Sequence, residues 1–127
     1  MGYRSSVHLG INNSAVEEWL THLATNPKAF EVANHEGCMI RTKHGLYLNW
    51  EYVKWYNGYP EVDQVEDFLS KLESLDRENE FAFFRMGEEY GDSESRGHSD
   101  SFEFYPVQQV EVHYEEMEKE EQNAQTA

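Results

Sequence analysis

The chain has little that could serve as a covalent framework or a membrane anchor. Its 127 residues include one cysteine, Cys38, and three prolines. A single cysteine excludes an internal disulfide and favours a reducing compartment. No apolar run approaches the roughly 18 residues of a membrane-spanning helix. Residues 1–6 lack the apolar segment of a secretory signal peptide, so none is expected.

Motifs for catalysis and nucleotide binding are also missing. The sequence has no Gly-x-Ser-x-Gly elbow, phosphate-binding loop or dinucleotide fingerprint. Cys38 could form a thiolate pair with His35 or His44 only if folding brought them together, so a buried structural cysteine is preferred. Glu88 and Glu89 are adjacent, and on a strand they would point to opposite sides. We therefore expect no enzyme, no catalytic residues and no cofactor.

Two patterns suggest a metal ion, and both depart from what the ion needs. Asp92, Gly97 and Glu103 occupy positions 1, 6 and 12 of an EF-hand-like register. Arg96 would place a cation at the calcium site, so a solvated acidic loop is the preferred interpretation. The single Cys38, with nearby histidines, supplies too few ligands for a tetrahedral zinc site. We expect no metal.

Basic residues are scarce relative to acidic ones. The chain has 10 lysines and arginines against 25 aspartates and glutamates, a net charge of −15. Residues 1–60 contain five of each sign, so the whole excess lies in residues 61–127. This charge argues against direct binding of nucleic acid or of an anionic membrane. Mutual repulsion among so many acids costs stability, so the excess indicates a use beyond solubility. It favours a partner with a basic surface.

Hydrophobic periodicity predicts an α+β fold in the order β-α-β-β-α-β-β. Residues 3–11 alternate with period two, which is typical of a half-buried strand. Ser14 and Glu17 form a capping-box pattern for a helix that ends at Asn26. Residues 28–56 are predicted as two strands. Pro60 is expected to begin a second helix, whose apolar face would hold Val62, Val65, Phe68, Leu69 and Leu72.

The remaining segments complete a ferredoxin-like arrangement with an extra strand, in which two helices cover one face of a mostly antiparallel sheet. Residues 81–86 are predicted as a buried strand and residues 87–101 as a long exposed loop. Residues 102–114 are predicted as a last strand, with a bulge or edge position at Pro106. Residues 1–114 would form one α+β domain, and residues 115–127 an acidic, flexible tail.

The acidic half also indicates where a partner would bind. The candidate residues are carboxylates of the second helix and the following loop, with two aromatic residues beside that helix: Asp63, Glu66, Asp67, Glu88, Glu89, Asp92, Glu94, Trp55 and Tyr59. Aligned carboxylates could imitate duplex DNA, which presents about one charge per 1.7 Å of its axis, and would dock on a basic groove. The two aromatic side chains are expected to be exposed and to anchor the partner.

Three blocks of sequence resemble a group of small acidic proteins of tailed bacteriophages. They are Met1-Gly2-Tyr3-Arg4-Ser5, then Val53-Lys54-Trp55-Tyr56 with Tyr59-Pro60-x-Val62, then Phe84-Arg85-x-Gly87-Glu88-Glu89. The resemblance implies a phage origin and a place in the host bacterial cytoplasm. Phage accessory proteins of this size often disable host machinery or defences. The leading hypothesis is therefore a non-enzymatic binding protein that inhibits a host or anti-phage defence protein, with nucleic-acid-binding proteins as favoured targets.

Two alternatives remain open from the sequence. The chain could sequester a nucleotide signal, for which a homo-oligomer would supply a cleft between two ferredoxin-like units. The cations available for such an anion are Arg4, Arg41, Lys43, Lys54, Arg85 and Arg96. The chain could instead be a minor structural protein of the virion.

Overall fold

The computed structural model describes residues 2–34 and 38–104, and they form an α+β fold of three α-helices and five strands. The predicted class is therefore confirmed. The elements follow one another as β1 (Ser5–Asn12), α1 (Asn13–Thr25), α2 (Pro27–Ala33), β2 (Met39–Thr42), β3 (Gly45–Val53), α3 (Pro60–Ser74), β4 (Phe81–Gly87) and β5 (Ser93–Arg96).

The five strands form one antiparallel sheet in the order β2-β3-β1-β4-β5. The central strand β1 pairs Leu9 with Leu48 of β3 on one side and with Phe83 of β4 on the other. Because side chains alternate along a strand, Leu9 faces the core while His8 and Gly10 lie on the opposite face. We call the face that carries Leu9 the helix face and the other the open face.

The helices supply the second layer of the core. The rings of Trp19 on α1 and Phe68 on α3 meet edge to face with 5.2 Å between centroids, and both side chains are fully buried. All five apolar α3 residues predicted to face the core are buried. Burial of each such side chain contributes about 1.5–3 kcal/mol. No helix within residues 2–34 and 38–104 has the length and apolarity needed to cross a membrane.

The prediction of strand structure just after residue 27 is wrong, because Pro27–Ala33 is the helix α2. Its first free N–H groups, those of Lys28 and Ala29, donate to the side-chain carbonyl of Gln64 on α3, at 2.9 and 3.0 Å. The Trp50 indole N–H donates to the Val32 carbonyl at 2.9 Å near the other end. Tertiary contacts therefore satisfy this helix, and its own sequence does not reveal them.

The predicted capping box is also wrong. Asn12 is the N-cap of α1 and makes no side-chain capping bond. The Ser14 hydroxyl instead donates to Glu80 at 3.0 Å, and Glu17 is exposed. The side-chain oxygen of Asn12, the atom that would cap the helix, instead accepts the Ser99 hydroxyl, while its amide donates to the Asp100 carboxylate at 2.8 Å.

The acidic segment after β4 is more ordered than a loop. Residues 93–96 of the predicted 87–101 loop form β5, which pairs with β4. In the predicted last strand, residues 102–104 are not a strand, and residues 105–114 lie outside the described part of the chain, as does the predicted tail at 115–127.

The segment after β5 crosses the open face and is fastened there. The Ser99 hydroxyl donates to the Asn12 side chain at 2.5 Å and accepts the N–H groups of residues 101 and 102. Phe102 then lies flat on Gly10, where an added Cβ would be 2.3 Å from the ring. Phe104 continues to His8, with 5.5 Å between ring centroids. Because Gly10 in β1 has no side chain, Phe102 of this segment can pack directly against the strand.

We expect Gly10→Ala to lower the free energy of unfolding by about 1–3 kcal/mol, because the new methyl group overlaps Phe102. Urea unfolding of the two single variants and the double variant Gly10→Ala/Phe102→Ala measures the effect. In the Phe102→Ala background the extra cost of Gly10→Ala should fall close to zero. An equal cost in both backgrounds would contradict this packing.

Candidate functional site

An arginine at the end of β5 joins the edge of the sheet to α3. The Arg96 guanidinium binds the carboxylates of Glu73 and Glu66, at 2.9 and 3.4 Å, and donates to the Ser70 hydroxyl at 3.0 Å. These three residues lie on one side of α3, since their spacing is three or four residues. Hydrogen bonding from Arg96 lowers the pKa of Glu73.

A second arginine holds the hairpin between β4 and β5. The Arg85 guanidinium binds Asp92 at 3.0 Å and Glu94 at 2.7 Å. Asp92 also accepts a hydrogen bond from the Tyr3 hydroxyl, which in turn accepts the N–H of Glu89 at 3.0 Å. The bonds from Arg85 and then from Tyr3 lower the pKa of Asp92, and the same contact with Asp92 raises the pKa of Tyr3.

The hairpin needs a glycine where Tyr3 and Asp92 meet. A Cβ on Gly87 would lie 2.1 Å from the Asp92 carboxylate and 2.3 Å from the Tyr3 hydroxyl. The next residue, Glu88, accepts the backbone N–H of Arg4 at 2.7 Å. The hairpin tip is therefore held against Tyr3 and Arg4, just before β1, and Tyr90 at the tip projects into solvent.

The α3 acids that face away from the core are exposed. Asp63 accepts the N–H of Gly58 at 3.0 Å and lies in the first turn of the helix, where the helix dipole favours a negative charge. Asp67 follows one turn later and makes no ion pair with any residue of 2–34 or 38–104. Asp63 lies one turn from both Glu66 and Asp67, so these three acids form one acidic side of α3.

Seven predicted partner-binding carboxylates thus belong to two adjoining elements that Arg96 joins. We call this surface the acidic edge: Asp63, Glu66 and Asp67 on α3 and Glu88, Glu89, Asp92 and Glu94 on the β4–β5 hairpin. Glu94 lies two residues before Arg96 on the same face of β5, and its charge contributes to the raised pKa of Arg96.

The expectation that Trp55 is exposed is wrong. Only 7% of the residue is accessible, and its ring packs on Trp50 and Phe83, with 5.1 and 6.2 Å between centroids. The Trp55 indole N–H donates to the Glu66 carboxylate at 2.8 Å, so its one polar group has a partner while the ring is buried. Tyr59 is 37% exposed, as expected for an anchor at the start of α3.

Tyr52 is the exposed aromatic residue with the most unusual backbone, which local sequence pattern does not predict. Tyr52 is 71% exposed and has φ of 57°, a left-handed conformation that non-glycine residues rarely adopt. The register of β1 and β3 shifts between Ser5 and Val7, which marks a bulge where Tyr52 turns outward. The Arg4 guanidinium lies 5.5 Å from the centre of its ring, within range of a cation–π interaction.

The proposed thiolate pair receives no support from the described residues. Cys38 is buried, and this burial raises its pKa to about 11, so the thiol is protonated near neutral pH. His44 is exposed in the turn between β2 and β3, and His35 lies outside the described residues.

The acidic residues of the EF-hand-like register are separated by the fold. Asp92 forms an ion pair with Arg85, and Asp100 accepts a hydrogen bond from Asn12. Arg96, within the same register, binds the α3 carboxylate of Glu73. Within residues 2–34 and 38–104 no three or more histidine, cysteine, aspartate or glutamate residues are grouped so that they could hold a metal ion.

No family model, curated protein or solved structure was found to match the chain.

We expect Arg96→Gln to lower the free energy of unfolding by about 1 kcal/mol at pH 7, since it leaves two partly buried carboxylates without their cation. The lowered pKa of Glu73 stabilises the fold fully above its ordinary value of 4.5, and this stabilisation is lost as the pH falls through the lowered value. The difference between wild type and Arg96→Gln should therefore shrink below about pH 4.

Urea unfolding between pH 3 and 7 measures this dependence. Lys28→Gln is the matched control, because it removes one cation from an exposed pair with a 3.7 Å contact to Glu31. That variant should change stability by a few tenths of a kcal/mol at most. A difference between wild type and Arg96→Gln that stays constant down to pH 3 would contradict the assignment.

Proposed function

We propose that the protein is a non-enzymatic, phage-encoded binding protein whose acidic edge docks on the basic surface of a host or anti-phage defence protein. The observation that carries this proposal is that the two arginines of this surface, Arg85 and Arg96, are already bound to carboxylates. Arg85 and Arg96 each bind two carboxylates, and the other four acids of the acidic edge, Asp63, Asp67, Glu88 and Glu89, form no ion pair within residues 2–34 and 38–104. A basic partner would meet unpaired carboxylates on both α3 and the β4–β5 hairpin.

The exposed and the paired acids have different roles in this proposal. Asp63, Asp67 and Glu89 face solvent and would attract a basic partner over the Debye length of about 8–10 Å. Asp92 and Glu94 are held by Arg85, so they would give the surface a fixed shape. A rigid row of charge is what imitation of nucleic acid requires.

Exposed tyrosines supply candidates for short-range contact beside the acids. Tyr90 at the hairpin tip is 80% exposed and follows Glu88 and Glu89 directly. Tyr59 lies at the start of α3, next in space to Asp63 through the bonded Gly58 turn. Tyrosine is favoured at interfaces because it adds a large contact area at a low cost in side-chain entropy.

The sequestration of an anionic nucleotide is the weaker proposal. Arg85 and Arg96 are bound to carboxylates, and Arg4 is stacked on Tyr52 and donates to its carbonyl at 3.3 Å. An anion at any of these three arginines would have to displace these contacts before it could bind, which leaves Arg41, Lys43 and Lys54 as candidate cations. The described residues therefore favour a cationic partner.

The fold itself supports a finer proposal, an elaborated ferredoxin-like arrangement. The elements β1, α1, β2, β3, α3 and β4 follow the β-α-β-β-α-β order of that motif, with α2 and β5 as additions. This assignment adds nothing to the functional argument, because the arrangement carries many unrelated functions.

We expect Asp63→Asn/Asp67→Asn to weaken binding to the partner through slower association, by about 3- to 10-fold at low salt. The immobilised protein is exposed to lysate of an infected bacterial host at about 50 and 300 mM salt, and retained proteins are identified by mass spectrometry. Association rates are then measured on the purified partner.

The control is Glu17→Gln/Glu31→Gln, which removes the same charge from exposed positions on α1 and α2. A supporting partner is retained at low salt by wild type and control, is retained less by the Asp63/Asp67 variant, and is displaced by short duplex DNA. Retention that ignores both salt and the variants would overturn the proposal.

A further inference from the structure

The outer edge of β5 carries backbone groups that no strand of the described sheet uses. β5 is the last strand in the order β2-β3-β1-β4-β5, and its inner neighbour is β4. Beyond Arg96 the chain turns at Gly97, with φ of 79°, and returns toward Phe81 and Asn12. Through Phe104, the chain that follows therefore leaves this edge clear.

The register identifies which groups point outward. The Gly87 N–H donates to the Asp92 carbonyl at 2.8 Å, so these two residues form a hydrogen-bonded pair. Such pairs alternate along an antiparallel ladder. Residues 94 and 96 therefore direct their backbone groups toward β4. Ser93 and Ser95 direct their N–H and C=O groups away from the sheet, and both residues are exposed.

The side chains of β5 do not block an approaching strand. Glu94 and Arg96 are turned to Arg85 and α3, where they form ion pairs. Ser93 and Ser95 are small, and β5 contains no proline or lysine, two residues that commonly protect sheet edges.

The two sides of this edge differ in chemistry. On the helix face an added strand would meet the acidic edge, beginning with Glu94 and Glu66. On the open face it would border a cavity of about 260 Å³, in which the apolar part of the lining is Ala82, Phe83, Phe84, Phe102 and Phe104. The polar part of that lining is Ser95, Arg96, His98, Ser99 and Glu103. Alternate side chains of an added strand point to these two sides.

We propose that an extended segment of the partner adds to β5 as a further antiparallel or parallel strand, with basic side chains alternating with apolar ones. The basic side chains would face the acidic edge, and the apolar ones would face the cavity. Backbone bonds to Ser93 and Ser95 would supply affinity, as in other cases of strand addition. This inference rests on the proposed function and names the way in which the partner binds.

Charge decides between a partner and a second copy of this chain. Pairing β5 with β5 of another copy would bring two acidic edges side by side, and like charges on adjacent strands are destabilising. A basic segment meets Glu94 at one helix-face position of β5, and at the other it meets Arg96, whose charge is offset by Glu66 and Glu73. The observations therefore favour a basic partner strand.

The test uses a capped peptide, Lys-Val-Lys-Val-Lys-Val-Lys, and the full chain. Ser95→Pro removes the outward N–H of Ser95, and an edge strand tolerates proline where its N–H faces solvent. We expect Ser95→Pro to weaken peptide binding on the order of tenfold or more, and Ser95→Ala to leave it within about twofold. Calorimetry measures the affinity.

Two further controls test the edge and the alternation. Arg41→Pro places proline on the opposite edge strand, β2, and should leave binding unchanged. The peptide Lys-Lys-Val-Val-Val-Lys-Lys keeps the charge without the alternation and should bind on the order of tenfold more weakly. On binding, the amides of Ser93 and Ser95 in the wild-type chain should become protected from hydrogen exchange, a readout that needs no variant.

Several outcomes would overturn strand addition. They are equal binding of both peptides, binding that Ser95→Pro leaves intact, loss of binding in Arg41→Pro alone, or a dimer of the chain that Ser95→Pro dissociates. Any of these results combined with salt-dependent capture of a basic partner would leave the proposed function standing. If the salt-dependent capture is lost while the alternating peptide still binds through Ser95, strand addition at β5 stands and the proposed function fails.

Discussion

The acidic edge depends on two arginines, Arg85 and Arg96, that each hold two carboxylates. β5 has the sequence Ser-Glu-Ser-Arg and contributes no apolar side chain to the core. Arg96 attaches it to α3 through Glu66 and Glu73, and Arg85 attaches its first residues through Asp92 and Glu94. Ionic contacts therefore fix this edge of the sheet, whereas apolar packing fixes the centre.

The sequence was sufficient where one segment carried its own signal. α3 begins at Pro60 as predicted and buries the expected apolar residues, because helix start and periodicity are both local. It was insufficient where the decisive partner lies elsewhere in the chain. α2 depends on Gln64, and burial of Trp55 depends on Glu66, which is eleven positions away.

The same limit explains the candidate site. Composition located the acids in residues 61–127, and the fold joined seven of the chosen carboxylates into one edge. Composition could not separate Asp92 and Glu94, which are held by Arg85, from Asp63 and Asp67, which face solvent. It also missed β5, since four small or charged residues have no hydrophobic period to detect.

The buried thiol of Cys38 provides a way to measure local opening of the sheet. Cys38 is the only cysteine in the chain, it lies directly before β2, and its pKa of about 11 keeps it protonated. An alkylating reagent can react with it only after this part of the sheet opens and the thiol ionises. The rate at which Cys38 is alkylated in the unmodified protein therefore reports local opening at the β2 edge, on the far side of the sheet from β5.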